Sequence, residues 1–148
     1  MEIRQFTEKD LTKLALLEKG CFSDPWTLEM LKSEIDRDGF CGLLCEEAGE
    51  SVGFVYGNVL FDDAELYKIA VLPLCRGKGV GKKLAAAFLD LVKAKGARQV
   101  FLEVRVSNQA ALLLYLGQGF EKTRLRKRYY ADGEDCLELK KSLYPDEE

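Results

Sequence analysis

The stretch Arg76-Gly77-Lys78-Gly79-Val80-Gly81 combines glycines with cations and stands directly before a segment with helical periodicity. Glycines let backbone N–H groups turn inward, and the start of a helix carries partial positive charge. The Arg and Lys side chains add full charges. This combination suits a bound anion such as a pyrophosphate. The alternative is an ordinary glycine-rich helix entry with a solvated basic face.

Two familiar phosphate-binding patterns do not fit this stretch. The Walker A pattern fails at its first position, Arg76, and at its last, Lys83. The dinucleotide pattern G-x-G-x-x-G fails at its final glycine, which would be Lys82 or Leu84 depending on the starting point. What remains is R-x-x-G-x-G between a strand and an amphipathic helix.

The chain contains no histidine, which excludes imidazole bases, His-based triads and H-E-x-x-H zinc sites. Proton transfer must then use a carboxylate, Tyr, Lys, Cys or water. Glu103 lies within the apolar strand segment 100–104, and Tyr115 lies two helical turns after Asn108. The pattern alone favours a structural interpretation, with Glu103 as an outward residue of a half-exposed strand and Tyr115 as a core residue.

Composition predicts one domain of 148 residues with an ordinary core, since 47% of residues are apolar and 32% charged. A net charge of −3 makes general nucleic-acid binding a poor hypothesis. The five cysteines are expected to be reduced thiols. The first residues do not resemble a signal peptide and no apolar run approaches membrane-spanning length, so a cytoplasmic location is expected.

The periodicities predict the element order β-α-α-β-β-β-α-β-α-β-β, an α+β fold with a mixed, mostly antiparallel sheet flanked by helices. The predicted strands are 2–6, 40–47, 51–60, 64–72, 99–105, 120–130 and 136–143; the predicted helices start after Thr7, Thr27, Gly79 and Asn108 and end near residues 20, 38, 95 and 116. An acidic tail, 144–148, is expected to follow.

The motifs resemble the GNAT acyltransferase superfamily, and within it the branch that acetylates the N-terminal alanine of a ribosomal protein. The matching stretches are R-x-x-G-x-G, Leu66 to Val71, Leu102 to Asn108, Ala111 to Tyr115 with Gly119-Phe120, Asp24-Pro25-Trp26 and Arg128-Tyr129-Tyr130. The resemblance runs nearly from end to end of the chain. It implies the GNAT fold and an acetyl-CoA-dependent N-acetyltransferase.

The resemblance also implies where acetyl-CoA binds. The residues that match the family's cofactor site are Ile69, Ala70, Val71, Arg76, Gly77, Lys78, Gly79, Val80, Gly81, Lys82 and Asn108. The glycine-rich loop would hold the pyrophosphate, and the strand 69–71 would bind the amide arm through its backbone. The Val71 N–H could also stabilise the oxyanion of the reaction. No metal is implied.

Roles for the remaining candidates follow from the same resemblance. Glu103 matches the general base and Tyr115 the acid that protonates the departing thiolate, with direct attack in a ternary complex. Trp26, Tyr129 and Tyr130 match segments beside the acceptor, although core burial is an equally good interpretation of Trp26.

The favoured acceptor is the N-terminal α-amine of a protein, an Ala-starting ribosomal protein. One alternative is a Lys or small-molecule amine, and another is a non-catalytic CoA-binding regulatory module. Direct nucleic-acid or membrane binding is not expected, and the oligomeric state is open. The basic stripe Lys122, Arg124, Arg126 and Arg128 is expected to be a solvated edge, with electrostatic contact to ribosomal RNA as the weaker alternative. Asp62, Asp63 and Glu65 are expected to be turn residues, with attraction of a cationic peptide as the alternative.

Overall fold

Strands and helices follow one another in the predicted order. The structure, a computed structural model, describes residues 1–145. The strands are β1 (Glu2–Gln5), β2 (Phe40–Glu47), β3 (Glu50–Leu60), β4 (Asp63–Val71), β5 (Gln99–Arg105), β6 (Glu121–Arg126) and β7 (Cys136–Ser142). The helices are α1 (Leu11–Cys21), α2 (Leu28–Ile35), α3 (Val80–Ala94) and α4 (Gln109–Gly117), with 3-10 turns at Glu8–Asp10 and Pro73–Cys75. The predicted α+β class is therefore confirmed.

Side-chain caps start most of these helices. Thr7 and Asp10 form a capping box at the turn that leads into α1. The Thr27 hydroxyl accepts a hydrogen bond from the Met30 N–H at 3.1 Å, and Asn108 Oδ1 accepts one from the Ala111 N–H at 3.2 Å. Helix α3 differs because its N-cap is Gly79, which has no side chain to offer. Its first amides therefore remain available to a ligand.

One seven-stranded sheet has the strand order β1-β2-β3-β4-β5-β7-β6. All neighbouring strands are antiparallel except β4 and β5, which are parallel. The β4–β5 pairing covers only Asp63–Glu65 against Gln99–Phe101. Beyond Glu65 the two strands separate, and this separation positions the site described below.

Two hydrophobic clusters lie on opposite faces of the sheet. Helices α3 and α4 pack on one face, where Leu84, Phe88 and Leu112 are buried. Helices α1 and α2 cover β2–β4 on the other face, where Leu14 and Leu31 are buried. On that second face the β5 side chains are exposed, because neither helix extends over them. An open face of the sheet thus lies beside β4.

The predicted strand 120–130 was too long. Strand β6 ends at Arg126, because Arg128 adopts a positive φ of 52° and its N–H bonds Asp135 Oδ1 at 2.9 Å. A bulge between Lys122 and Arg124 also interrupts the predicted alternation of the basic stripe. β6 is an edge strand as expected, and one member of the stripe, Arg126, pairs with Glu138 at 2.6 Å.

Two other predicted boundaries moved. Helix α2 ends at Ile35 rather than near Asp38. Tyr144, placed by the sequence in an acidic tail, instead packs beneath the Lys93 ammonium at 4.5 Å and the Arg98 guanidinium at 4.7 Å. Residues 146–148 of that predicted tail lie outside the described residues.

Candidate active site

The separation of β4 from β5 exposes one backbone edge of β4. Its other edge stays in register with β3, where Ile69 pairs with Val55 and Val71 with Gly53. Amide and carbonyl groups of β4 that point away from β3 therefore have no strand partner on that side beyond Glu65. This edge offers hydrogen bonds to an extended ligand with amide groups of its own.

A cavity of about 580 Å³ lies between this edge and the start of α3. Its lining residues are Cys21, Phe22, Ile69, Ala70, Val71, Arg76, Gly77, Gly79, Val80, Gly81, Lys82, Asn108, Ala110, Ala111 and Leu114. Every predicted cofactor residue lines it except Lys78. Cys21 and Phe22 were not predicted as part of this site, because no local motif marks their position at the end of α1. We call this space the cofactor cavity.

The polar end of the cofactor cavity is built from backbone. Gly77 and Gly79 have φ values of 83° and 82°, and a Cβ at either would meet open space. The first bond of α3 runs from the Lys83 N–H to the Gly79 oxygen at 3.1 Å, so the preceding amides of the first turn have no acceptor within the helix. An anion can accept those hydrogen bonds, as at other helix starts.

The Arg76 side chain is tied to the backbone. Its Nε–H donates to the Val71 carbonyl at 2.9 Å, which ties the glycine-rich loop back to the end of β4. Lys82 remains exposed on the first turn of α3. The loop therefore combines a fixed backbone with cationic side chains beside it, a chemistry that suits a diphosphate. The apolar Phe22, Ile69 and Leu114 line the same cavity and suit an alkyl arm.

A second space, the acceptor cleft, adjoins it along β4. The cleft has a volume of about 360 Å³ and is lined by Trp26, Glu34, Arg37, Glu65, Leu66, Tyr67, Lys68, Glu103, Tyr129 and Tyr130. A wider groove of about 800 Å³ shares Arg37, Glu65, Tyr67, Glu103 and Tyr129 and extends to Phe61. The structure thus brings Glu103 together with all three predicted acceptor residues.

Glu103 points outward from β5 into the acceptor cleft. Its neighbours Leu102 and Val104 are buried, as the alternation of a strand requires. The Tyr129 hydroxyl donates to Glu103 Oε1 at 3.2 Å, and the Cys136 thiol lies 3.9 Å from Oε2. The interpretation as an outward strand residue is therefore correct, and the surface that it faces is the wall of the cleft.

Tyr115 lies in the core rather than on either wall. It is 5% exposed, its ring contacts Phe120 at a centroid distance of 5.7 Å, and it lines neither the cofactor cavity nor the acceptor cleft. Burial raises the pKa of its phenol, so the group stays protonated. Its helix neighbours Ala111 and Leu114 do line the cofactor cavity.

Trp26 packs against the core and also borders the acceptor cleft, and its role toward the acceptor stays a prediction. The ring is half-buried against Tyr56, with centroids 5.3 Å apart, and it also lines the acceptor cleft. Tyr129 and Tyr130 contact each other edge to face at 5.2 Å in the loop after β6. The Arg105 guanidinium lies 4.0 Å from the centre of the Tyr130 ring and fixes that loop.

Glu65 is a residue of the site that sequence reasoning assigned to a turn. It lies within β4 and lines both the cleft and the wider groove. Burial raises the pKa of its carboxyl, and the nearby Glu103 raises it further. One sequence pattern could have placed Glu65 in the site: it stands two residues before Tyr67, and this spacing puts both side chains on the same face of a strand. Asp62 remains at the turn, whereas Asp63, also predicted there, is the first residue of β4.

The described residues contain neither a membrane-spanning helix nor a cluster of metal-ligating side chains. No helix within 1–145 combines the length and apolar character needed to cross a membrane. Within the same residues, no group of three or more His, Cys, Asp or Glu side chains is arranged to hold a metal ion.

Comparison with known proteins agrees with this geometry. The model of the acetyltransferase (GNAT) family matches residues 11–120. The [ribosomal protein bS18]-alanine N-acetyltransferase of Haemophilus influenzae is 34% identical over 128 residues, covering 86% of each chain. A Bacillus subtilis protein provisionally assigned that activity is 34% identical over 137 residues, covering 91% of each chain.

A solved structure extends the comparison to the fold. The crystal structure of the ribosomal-protein-S18-alanine N-acetyltransferase from Escherichia coli superimposes with a TM-score of 0.89 at 28% identity, and the match covers 96% of this chain and 93% of that one. The family model, the relatives and the shared fold agree, and the chain belongs to the acetyltransferase (GNAT) family.

Proposed function

We propose that this protein transfers the acetyl group of acetyl-CoA to the N-terminal α-amine of a protein, and that the acceptor is a ribosomal protein that begins with alanine. The observation that carries the proposal is the adjacency of two spaces along β4. Tyr67 and Lys68 line the acceptor cleft, and Ile69–Val71 line the cofactor cavity. The ribosomal-protein alanine N-acetyltransferase activity for which the Haemophilus influenzae relative is named supports this acceptor.

Acetyl-CoA fits the residues that surround the cofactor cavity. When bound, it supplies an acetyl group activated as a thioester. The amides at the start of α3 would hold its diphosphate, and the free edge of β4 would bind its amide arm. The Val71 N–H is the candidate donor to the developing oxyanion. Both substrates can be held at once, which supports direct attack in a ternary complex.

Glu103 would take the proton from the acceptor amine. An ammonium has no lone pair, so the amine must be deprotonated before it attacks. An α-amine titrates near 7.7–8.0 and a Lys amine near 10.4, so the α-amine is the easier substrate for a carboxylate base. The hydroxyl of Tyr129 donates to one oxygen of Glu103 and orients the carboxylate toward the cleft.

Tyr115 would supply the proton for the departing thiolate. Its burial keeps the phenol protonated, as an acid at neutral pH requires. Because Tyr115 lies beneath the lining of the cofactor cavity, the proposal requires the hydroxyl to reach the sulfur between Ala111 and Leu114. A cytoplasmic location follows from the proposed ribosomal acceptor.

Two peptides test the acceptor. One begins with a free alanine and lacks Lys, and the other is blocked at its N-terminus and contains Lys. With acetyl-CoA present, we expect the mass of only the first peptide to rise by one acetyl group. Acetylation of only the second would assign the activity to Lys, and acetylation of neither would contradict the proposal.

A further inference from the structure

Lys68 lies on β4 at the boundary between the acceptor cleft and the cofactor cavity. The preceding Tyr67 lines the cleft, and the following Ile69 lines the cavity. The Lys68 ammonium donates to both carboxylate oxygens of Glu18, each at 3.1 Å. No step of the proposed reaction uses this pair, although Glu18 is fully buried and only 18% of the Lys68 side chain is exposed.

Glu18 forms a fixed anchor for this ammonium. It is 0% exposed on the inner face of α1, and the Tyr56 hydroxyl donates to its Oε1 at 2.6 Å. Burial and this hydrogen bond both raise the pKa of Tyr56, so the hydroxyl keeps its proton. A carboxylate held by a buried phenol on β3 and by a lysine on β4 has little freedom to move.

Two aromatic rings complete the surroundings of Lys68. Its ammonium lies 4.4 Å from the centre of the Phe22 ring and 4.9 Å from that of Trp26. Phe22 is part of the wall of the cofactor cavity, and Trp26 is part of the wall of the acceptor cleft. Both rings belong to the connection between α1 and α2, residues 22–27, which lies outside regular secondary structure.

We propose that Lys68, anchored by Glu18, is a positioning residue that holds the α1–α2 connection against β4 and thereby shapes the cofactor cavity and the acceptor cleft together. A cation beside an aromatic ring is attracted to the face of that ring, so an ammonium that is itself anchored restrains the positions of both rings. The proposal rests on the proposed function for its kinetic consequence, but the geometry of the rings does not depend on turnover. Loss of the ammonium should raise KM for both substrates more than it lowers kcat.

Three variants separate positioning from ordinary stabilisation. Lys68→Met keeps the aliphatic stem and removes the charge, but it leaves the buried Glu18 without its cation and is expected to lower Tm. Glu18→Gln combined with Lys68→Met removes both charges and is expected to recover much of that Tm. Lys68→Arg keeps a cation above the rings. Lys93→Met is the matched control, because Lys93 also lies above a ring, Tyr144, but lines neither space.

Trp26 is the only tryptophan of the chain, so its fluorescence reports on the connection without any turnover. Quenching by acrylamide measures how well the ring is covered, and calorimetry with free CoA measures the cofactor cavity. Steady-state rates with acetyl-CoA and the alanine peptide give kcat and the two KM values. If the alanine peptide is not a substrate, the quenching and CoA measurements still decide the proposal.

We expect Lys68→Met and the double variant to increase acrylamide quenching of Trp26, to weaken CoA binding about tenfold and to raise KM for the peptide by a similar factor. Lys68→Arg should restore these values, and Lys93→Met should not change them. The proposal is wrong if the double variant regains wild-type quenching and CoA affinity together with its Tm, because the pair would then only stabilise the fold. It is also wrong if both charge-removing variants match the wild type throughout.

Discussion

Glu103 presents its carboxylate to the acceptor cleft, with one oxygen bonded to Tyr129. Glu103→Gln keeps the size of the side chain and an acceptor for Tyr129 but removes the proposed base. We expect kcat/KM for an alanine peptide to fall roughly 10²- to 10⁴-fold, the usual contribution of a general base. Glu121→Gln on the exposed β6 is the control and should retain wild-type activity. Unchanged activity in Glu103→Gln would refute its role.

Tyr115 offers a sharper test, because its hydroxyl has no hydrogen-bond partner among the described residues. Tyr115→Phe should therefore leave Tm close to the wild-type value while kcat falls on the order of 10²-fold. Burial raises the pKa of Tyr115 above its ordinary value, so the phenol should stay protonated from about pH 6 to 9. Over that range kcat should show no decrease caused by deprotonation of Tyr115. A variant with wild-type kcat would exclude Tyr115 as the acid.

Single residues also mark the limit of sequence reasoning. Glu103 and the glycine-rich loop could be recognised because their neighbours in the chain belong to the same motif. Glu18 and Lys68 could not, since 50 positions separate them and only the packing of α1 on β4 brings them together. For Tyr115 the sequence left an acid and a core residue as alternatives. The structure shows the side chain buried, a depth that the sequence does not give, because a helix position fixes only the direction of a side chain. Its role as the acid stays a prediction.

The start of helix α3 gives the clearest prediction for a single element. Gly79→Ala puts a side chain at a φ of 82°, which costs about 1–2 kcal/mol and disturbs the amides that face the cofactor cavity. Gly96→Ala imposes similar strain at a φ of 99° at the other end of the same helix, away from the cavity. Both variants should lose stability, but only Gly79→Ala should weaken CoA binding in calorimetry. Equal CoA affinity in the two would contradict the phosphate-loop assignment.

The turn before α1 makes a pH-dependent contribution to stability. Hydrogen bonds from Arg4 hold the pKa of Asp10 below its ordinary value of 3.8, and the N–H of Thr7 bonds the same carboxylate. The folded pKa is therefore lower than the unfolded one. The resulting stability is present above about pH 4 and is lost as the pH falls through the folded pKa.

Asp10→Asn tests that contribution by chemical denaturation. At pH 7 we expect the free energy of unfolding to drop by about 1–3 kcal/mol, because the partly buried pair with Arg4 is lost. The difference from the wild type should shrink as the pH falls below about 4, where Asp10 itself becomes protonated. Asp90→Asn on the exposed face of α3 should show no such difference. A gap that stays constant down to pH 2 would contradict the assignment.

The sequence predicted the type and the order of the helices and strands correctly, but it predicted some of their ends wrongly. Strand β6 was extended too far because Tyr129 and Tyr130 have strand propensity, while the loop is fixed by contacts that are distant in sequence. Asp132 and Glu134 both bind Arg105 at the end of β5, at 2.9 Å and 3.0 Å. Tertiary contacts of this kind override local propensity.

At the scale of the molecule, the site exists because β4 and β5 pair over only part of their length. Parallel pairing of β4 with β5 stops after Phe101, and the cofactor cavity and the acceptor cleft open along the edge that is left. The sequence predicted a mixed sheet but could not predict this separation, because register is decided by packing between strands. That residues 1–148 form a single domain stays a prediction.

One peptide that carries both a free N-terminal alanine and an internal Lys tests the central claim most directly, because the two amines compete for the same protein. After incubation with acetyl-CoA, fragment ions in tandem mass spectrometry locate the acetyl group. We predict that it is found on the α-amine, and that its amount falls sharply with Glu103→Gln. An acetyl group on the Lys amine, or equal α-amine acetylation by the wild type and the variant, would contradict the account.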